Sequence, residues 1–177
     1  MTAAEIDSDS FIQNFAMSSE GEPVSEAAFA AWEGKLPGLL LALWQRDGFA
    51  RYRDDKLALV DPHLYAEVAT AFLQGNPMEG ANTFHVYAVT AFGQILLCGE
   101  NTSTRISIDP HSGHVTTESD VPDPADAAER NWKLAFAVSE GGWQAAHLVK
   151  RDRLAELKSL AKQTAARRSL RSDAEDR

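Results

Sequence analysis

The residue types able to do chemistry fall into three small groups in this chain. Asp109, His111 and His114 bring a carboxylate and two imidazoles together, the histidines at i and i+3. That spacing could set two ring nitrogens on one metal ion, but no second cluster and no cysteine pair accompanies it, and Asp-Pro-His-Ser-Gly is turn chemistry. His85 and Cys98 each lie inside an apolar run, where a core or partner-facing histidine and a buried, inert thiol are the expected outcomes. The third group is acidic: Asp47, the pair Asp54-Asp55 and Asp61, with Arg51 and Arg53 among them. Such carboxylates could occupy the place of phosphate against the Lys and Arg of a basic partner. They serve equally as turn residues at Asp54-Asp55 and as a helix cap at Asp61. Gly141-Gly142 lacks the flanking Gly, Lys and Ser/Thr of a phosphate cradle. Arg51 and Arg53 partly neutralise the acids, and no catalytic residue, metal ligand or cofactor is assigned, so a binding protein is expected. A small metal-dependent hydrolase using His85, Asp109, His111 and His114 is the alternative.

The elements that must position these residues centre on Leu36 to Pro62. Leu36, Leu39, Leu40, Leu43 and Trp44 form one apolar stripe at helical spacing, with Pro37 suited to the first turn and Gly48 to the stop. The period then changes to two short strands, Phe49 to Arg53 and Lys56 to Val60, joined at Asp54-Asp55. Upstream, Ser25 caps a helix carrying Phe29 and Trp32, which breaks around residues 34–37 to leave a bent helix pair. Downstream, Asp61 caps and Pro62 opens a helix to Leu73, with Leu64, Tyr65, Val68, Ala69 and Phe72 on its apolar side, ended by Gly75-Asn76-Pro77. Residues 83–91 are apolar at both parities and read as a central strand covered on both sides. Residues 95–99, 102–108 and 114–118 complete a meander, and Asp123 can cap a further helix over residues 124–138. The fold class is therefore α+β: an antiparallel sheet of about four to six strands with helices packed on one face, plus a C-terminal helix over residues 147–168. Three regions follow: a mobile acidic arm at 1–22, the α+β domain at 23–138, and a basic helical tail at 139–177 that is disordered after Ala166.

The formal charge is −9 over 177 residues, but it is unevenly spread. Residues 1–149 hold 8 Lys and Arg against 21 Asp and Glu, a formal −13, whereas residues 150–177 hold 9 against 5, a formal +4. An acidic body is repelled by nucleic-acid phosphate and drawn to basic surfaces, including those of proteins that bind nucleic acid. The tail's cations (Lys150, Arg151, Lys158, Lys162 and Arg167 among them) are spread around a helix without interleaved aromatics, so a solvated face lying on the acidic body is expected. A regulatory nucleic-acid-binding module acting through the tail is a further alternative. No run of 18 apolar residues spans a membrane, the N-terminus has no basic region followed by an apolar stretch, and the single cysteine makes no internal disulfide; a cytoplasmic protein is expected.

Leu36, Pro37, Leu39, Leu40, Trp44 and Gly48, the two-stranded excursion, Leu59-Val60-Asp61-Pro62 with Tyr65, and Thr90 to Leu97 (TAFGQILL) together resemble the GAD-like immunity proteins of bacterial type VI secretion systems. The resemblance covers roughly residues 20–136, and the chain departs from it at Ser139 to Trp143 and in the polar helix beyond. It implies a protein that binds and neutralises a co-encoded toxin, a basic nuclease, by occluding its active or DNA-binding cleft. Asp47, Phe49, Tyr52, Asp54, Asp55 and Asp61 are then the expected partner-binding residues, with Phe49 and Tyr52 as apolar anchors. No contact with nucleic acid or membrane is expected.

Overall fold

The computed structural model describes residues 17–100, 104–118 and 153–175. Within them a seven-stranded antiparallel sheet runs in chain order, β1 (Met17–Ser19), β2 (Arg51–Tyr52), β3 (Leu57–Leu59), β4 (Phe84–Thr90), β5 (Ile95–Gly99), β6 (Arg105–Asp109) and β7 (His114–Glu118). Four helices accompany it: α1 (Glu26–Trp32), α2 (Gly38–Asp47), α3 (Pro62–Leu73) and α4 (Arg153–Glu175). The expected meander is present, with one strand beyond the expected range. The addition is β1, from the stretch read as a mobile arm. Met17 pairs with Tyr52 and Ser19 with Arg51, because the arm's last residues complete an otherwise unpaired strand edge.

The sequence's local signals set the element ends. The Ser25 hydroxyl accepts from the Ala28 N–H at the start of α1. Asp61 accepts from the His63 N–H with Pro62 in the first turn of α3. Pro37 sits at the cap of α2 rather than inside its first turn, and Gly48 ends that helix at φ 68°. There glycine is required twice over, since a Cβ at Gly48 would stand 2.4 Å from the Glu22 carbonyl oxygen. Gly21 is held as closely: its N–H donates to the Asp47 carbonyl, and a Cβ there would meet the Ala50 nitrogen at 2.3 Å.

Helices cover both faces of the sheet, not one. On the first face, Trp32 of α1 and Leu36, Leu39, Leu40, Leu43 and Trp44 pack on Tyr52, Leu57, Leu59, Tyr87 and Cys98. On the second, α3 contributes Tyr65, Val68, Phe72 and Leu73, and α4 contributes Leu157 and Ala161, over Phe84, Val86, Ile95, Leu97, Ile106 and Ile108. The physical reason lies in β4 and β5. Both are apolar at each parity, so leaving either face wet would expose several large side chains, each worth about 2 kcal/mol of burial. A register shift between Val86 and Ala88 lets Tyr87 and Ala88 share the first face before Val89 returns to the second.

Three further differences have local causes. Leu64, expected on the inner side of α3, is 52% exposed. The buried stripe is Tyr65, Val68, Ala69, Phe72 and Leu73, and Leu64 lies one residue, about 100°, off it. The C-terminal helix continues to Glu175 beyond Ala166, through a segment with neither glycine nor proline to stop it. Its stripe of Leu154, Leu157, Leu160 and Ala161 lies on the α3 face, so apolar packing and not charge alone docks the basic helix. Leu148, Asp123 and the helix expected over 124–138 lie outside the described residues. No helix among the described residues is long and apolar enough to cross a membrane.

Candidate partner-binding surface

The β2–β3 hairpin presents the acids that the sequence singles out. Arg51 pairs with Ala58 and Tyr52 with Leu57, and the Lys56 N–H donates to the Arg53 carbonyl at 3.1 Å, closing a two-residue loop of Asp54 and Asp55. Arg53, Asp54 and Asp55 all have positive φ, 54°, 54° and 62°. Two central residues in the left-handed region make the mirror-image turn whose twist suits a hairpin, which glycine and asparagine enter most easily and aspartate tolerates. Asp54 is exposed at the tip, and the Asp55 N–H donates to the Ser18 hydroxyl at 3.0 Å, fastening the loop to β1.

The remaining expected contact residues face inward or act locally. Tyr52 is fully buried, and its hydroxyl donates to Asp47 at 2.7 Å. Arg46 Nε donates to the other Asp47 oxygen at 2.7 Å, and its Nη2 reaches the oxygen shared with Tyr52. Burial works against the ionised form of Asp47, but hydrogen bonds from Arg46 and Tyr52 outweigh it and hold the carboxyl below the ordinary carboxylate range. Burial, and then the carboxylate it donates to, push the Tyr52 phenol up. Phe49 is half-buried against the edge of Trp44, with ring centroids 5.1 Å apart. Asp61 is the cap of α3. The structure thus brings Asp47 and Tyr52 together as a bracing network across the α2–β2 joint, withdraws Tyr52 from the surface and half-buries Phe49.

The histidine groups separate as well. Asp109 accepts from the Ser112 hydroxyl at 2.7 Å and from the His111 N–H at 2.9 Å, the turn its sequence indicated, and these bonds hold its carboxyl below the usual range. Among the described residues no group of three or more His, Cys, Asp or Glu side chains is arranged to hold a metal ion. His85 instead pairs with Glu100, Nε2 to carboxylate oxygen 2.7 Å, while its ring meets Trp32 edge-on at 4.7 Å. His63 stands on the other contact of that indole at 4.5 Å, and Lys35 lies 5.6 Å from it.

His85 also lines a groove of about 340 Å³ that sequence reasoning did not find. One wall is the flank of α3 at Ala66, Ala69, Thr70 and Leu73; the other is the connection at Met78, Glu79, Asn82 and Thr83; Phe84 and Val86 of β4 contribute apolar surface. The connection is braced. Glu79 accepts from the Gly75 N–H at 2.6 Å, Asn76 from the Met78 N–H at 2.9 Å, and the Asn82 amide donates to the Glu100 carbonyl at 3.1 Å. Small residues at Ala66, Ala69 and Thr70, where the helical pattern allows larger ones, are the one signal in the sequence that space is left there.

Comparison with known proteins agrees with this architecture. The crystal structure of Atu4351 from Agrobacterium tumefaciens superposes with a TM-score of 0.59 at 20% identity, over 73% of this chain and 57% of that one. This chain thus spans little more than half the length of that protein, and the likeness is one of fold. No curated protein matches the sequence. Residues 7–111, from before β1 through β6 and into the turn beyond it, match the GAD-like domain, and by this match over more than half its length the chain belongs to the GAD-like domain family.

Proposed function

We propose that this protein is an immunity protein that binds and neutralises a co-encoded antibacterial toxin, a DNase effector of a type VI secretion system, by covering its active or DNA-binding cleft. The observation that carries the reading is charge: a formal −13 over residues 1–149, within a chain that resembles such immunity proteins. A surface that binds DNA is basic, and an acidic protein competes for it with phosphate. The exposed hairpin tip supports the reading further, since Asp54 and Asp55 sit in a loop fastened to β1 and stand ready to meet Lys or Arg without prior ordering. Long-range attraction sets the speed of association, and desolvated apolar contact sets its lifetime. The protein acts by binding, in the cytoplasm where the toxin would reach DNA, without cofactor or metal and without touching nucleic acid or membrane itself.

The test is expression of the neighbouring effector gene with and without this chain, together with association rates of the purified pair across salt concentrations. Restored growth, a stoichiometric complex and association that slows as salt rises are the expected results. Absence of both complex and rescue would end the immunity reading. Asp54→Lys with Asp55→Lys should slow association by about tenfold or more; an unchanged rate would remove the hairpin from the interface.

A further inference from the structure

Tight protein recognition needs a desolvated anchor as well as charge, and the hairpin supplies mainly charge, because Tyr52 is fully buried and Phe49 is half-buried on Trp44. We infer that the groove between α3 and the 78–86 segment is the anchor site, and that it takes a basic side chain with its apolar neighbour from the partner protein. The inference rests on the immunity reading for the partner's identity.

Three observations converge on that occupant. The groove's volume of about 340 Å³ falls within the range of sites that bind small groups, and its apolar surface from Leu73, Met78, Phe84 and Val86 is accompanied by a few polar groups, Thr70, Glu79, Asn82 and His85. Its wall is preorganised, with the Gly75, Met78 and Thr83 N–H groups each held by a side chain, at 2.6, 2.9 and 2.7 Å. Charge selects the ligand: residues 62–86, which build both walls, contain no Lys or Arg, and Glu79 sets a carboxylate in the lining. Among the described residues the titratable groups lining the groove are Glu79 and His85, and His85 is already paired with Glu100. Lys158, Lys162 and Arg167 of α4 are not among the groove's lining residues, although that helix also packs on α3. An aliphatic stem ending in ammonium or guanidinium fits such a site: the stem buries on Leu73 and Met78 while the charge stays near the Glu79 carboxylate.

The test uses the full chain and the peptide acetyl-Leu-Arg-Phe-Arg-amide as probe, followed by amide resonances. Shifts at residues 66–86 are expected in the wild type, and Ala66→Arg, at an exposed position of α3 that lines the groove, should weaken binding by about tenfold through occupancy and like charge. Thr70→Arg is the second variant and should do the same. Glu67→Arg changes charge nearby without lining the groove and should weaken binding much less. No shifts at millimolar peptide, equal binding by Ala66→Arg, or an equal loss in Glu67→Arg would each overturn the inference. So would concentration-dependent self-association that moves the same resonances, which would make a second copy the occupant. The purified effector separates the two levels of argument. If it binds wild type and Ala66→Arg alike, the groove is overturned and the immunity reading stands. If the peptide occupies the groove while the effector binds no form of the chain, the groove stands and the immunity reading falls.

Discussion

The hairpin joint and the α3 groove sit on opposite faces of one sheet and use their residues in opposite ways. At the joint, the side chains that look functional in sequence are absorbed by the fold. Asp47 collects Arg46 and Tyr52, Phe49 lies on Trp44, and the main chain around Gly21 and Gly48 passes too close for a Cβ. At the groove, residues that look like ordinary helix and core filler leave a braced concavity, because Ala66, Ala69 and Thr70 are too short to close the gap to the 78–83 connection. Acids and aromatics drew attention to the first region, yet the second holds the shape a partner can enter. Buried polar networks stabilise the molecule that carries them, whereas a surface left unfilled has its energy available for a partner.

Perturbing the joint should therefore cost stability, and perturbing the groove should not. The largest effect is expected for Gly21→Ala, whose Cβ meets backbone atoms of Phe49 and Ala50 at 2.3 Å; a loss of about 3 kcal/mol in urea unfolding is expected from such overpacking. Wild-type stability in that variant would show that the segment leading into α1 is not locked against the joint. Next in size, Tyr52→Phe removes a hydrogen bond to a half-buried carboxylate and should lose about 1.5 kcal/mol. The Asp47 carboxyl is held below its ordinary range, so its contribution is present above the unfolded value of about 4 and disappears as pH falls through the folded value. The gap between wild type and Tyr52→Phe should accordingly stay constant above about pH 4 and narrow as pH falls below it; a gap that stays constant in acid would mean that the charged form of Asp47 is not what Tyr52 stabilises.

Smaller and opposite in sign, Asp54→Asn with Asp55→Gly should raise stability by about 1 kcal/mol, since asparagine and glycine enter the left-handed turn more easily. The same pair should slow association with the effector, separating the turn role of these acids from the binding role. A gain in stability with no change in association would leave Asp54 and Asp55 as turn residues only. The smallest stability change, within about 0.5 kcal/mol, is expected for Ala66→Arg, on an exposed helical position. A large loss there, read by thermal unfolding, would mean that the groove is part of the packed core and would erase the contrast between the two regions.

Much of the fold is legible residue by residue. Ser25, Asp61-Pro62 and Gly48 mark helix ends because capping and left-handed stops depend on single side chains and immediate neighbours. Strands β4 to β7 follow from alternation and turn chemistry, which are equally local. The doubly apolar pattern of β4 already requires cover on both sides, although which helices supply it does not follow from any one segment. The candidate site was less accessible. The Asp54-Asp55 turn could be placed, but nothing local distinguishes a Tyr52 that projects outward from one that turns inward to Asp47.

By itself the sequence determined the α+β class, the ends of the main helices, the hairpin acids and the division into an acidic body and a basic C-terminal helix, since these rest on composition and short-range geometry. Only the tertiary structure decided that Met17–Ser19 joins the sheet, which helices cover each face, that Tyr52 and Phe49 pack inward, and that α3 leaves a groove beside β4. Each of those depends on which distant segments meet, and side-chain direction across a contact is fixed by both partners together, not by either stretch of chain alone.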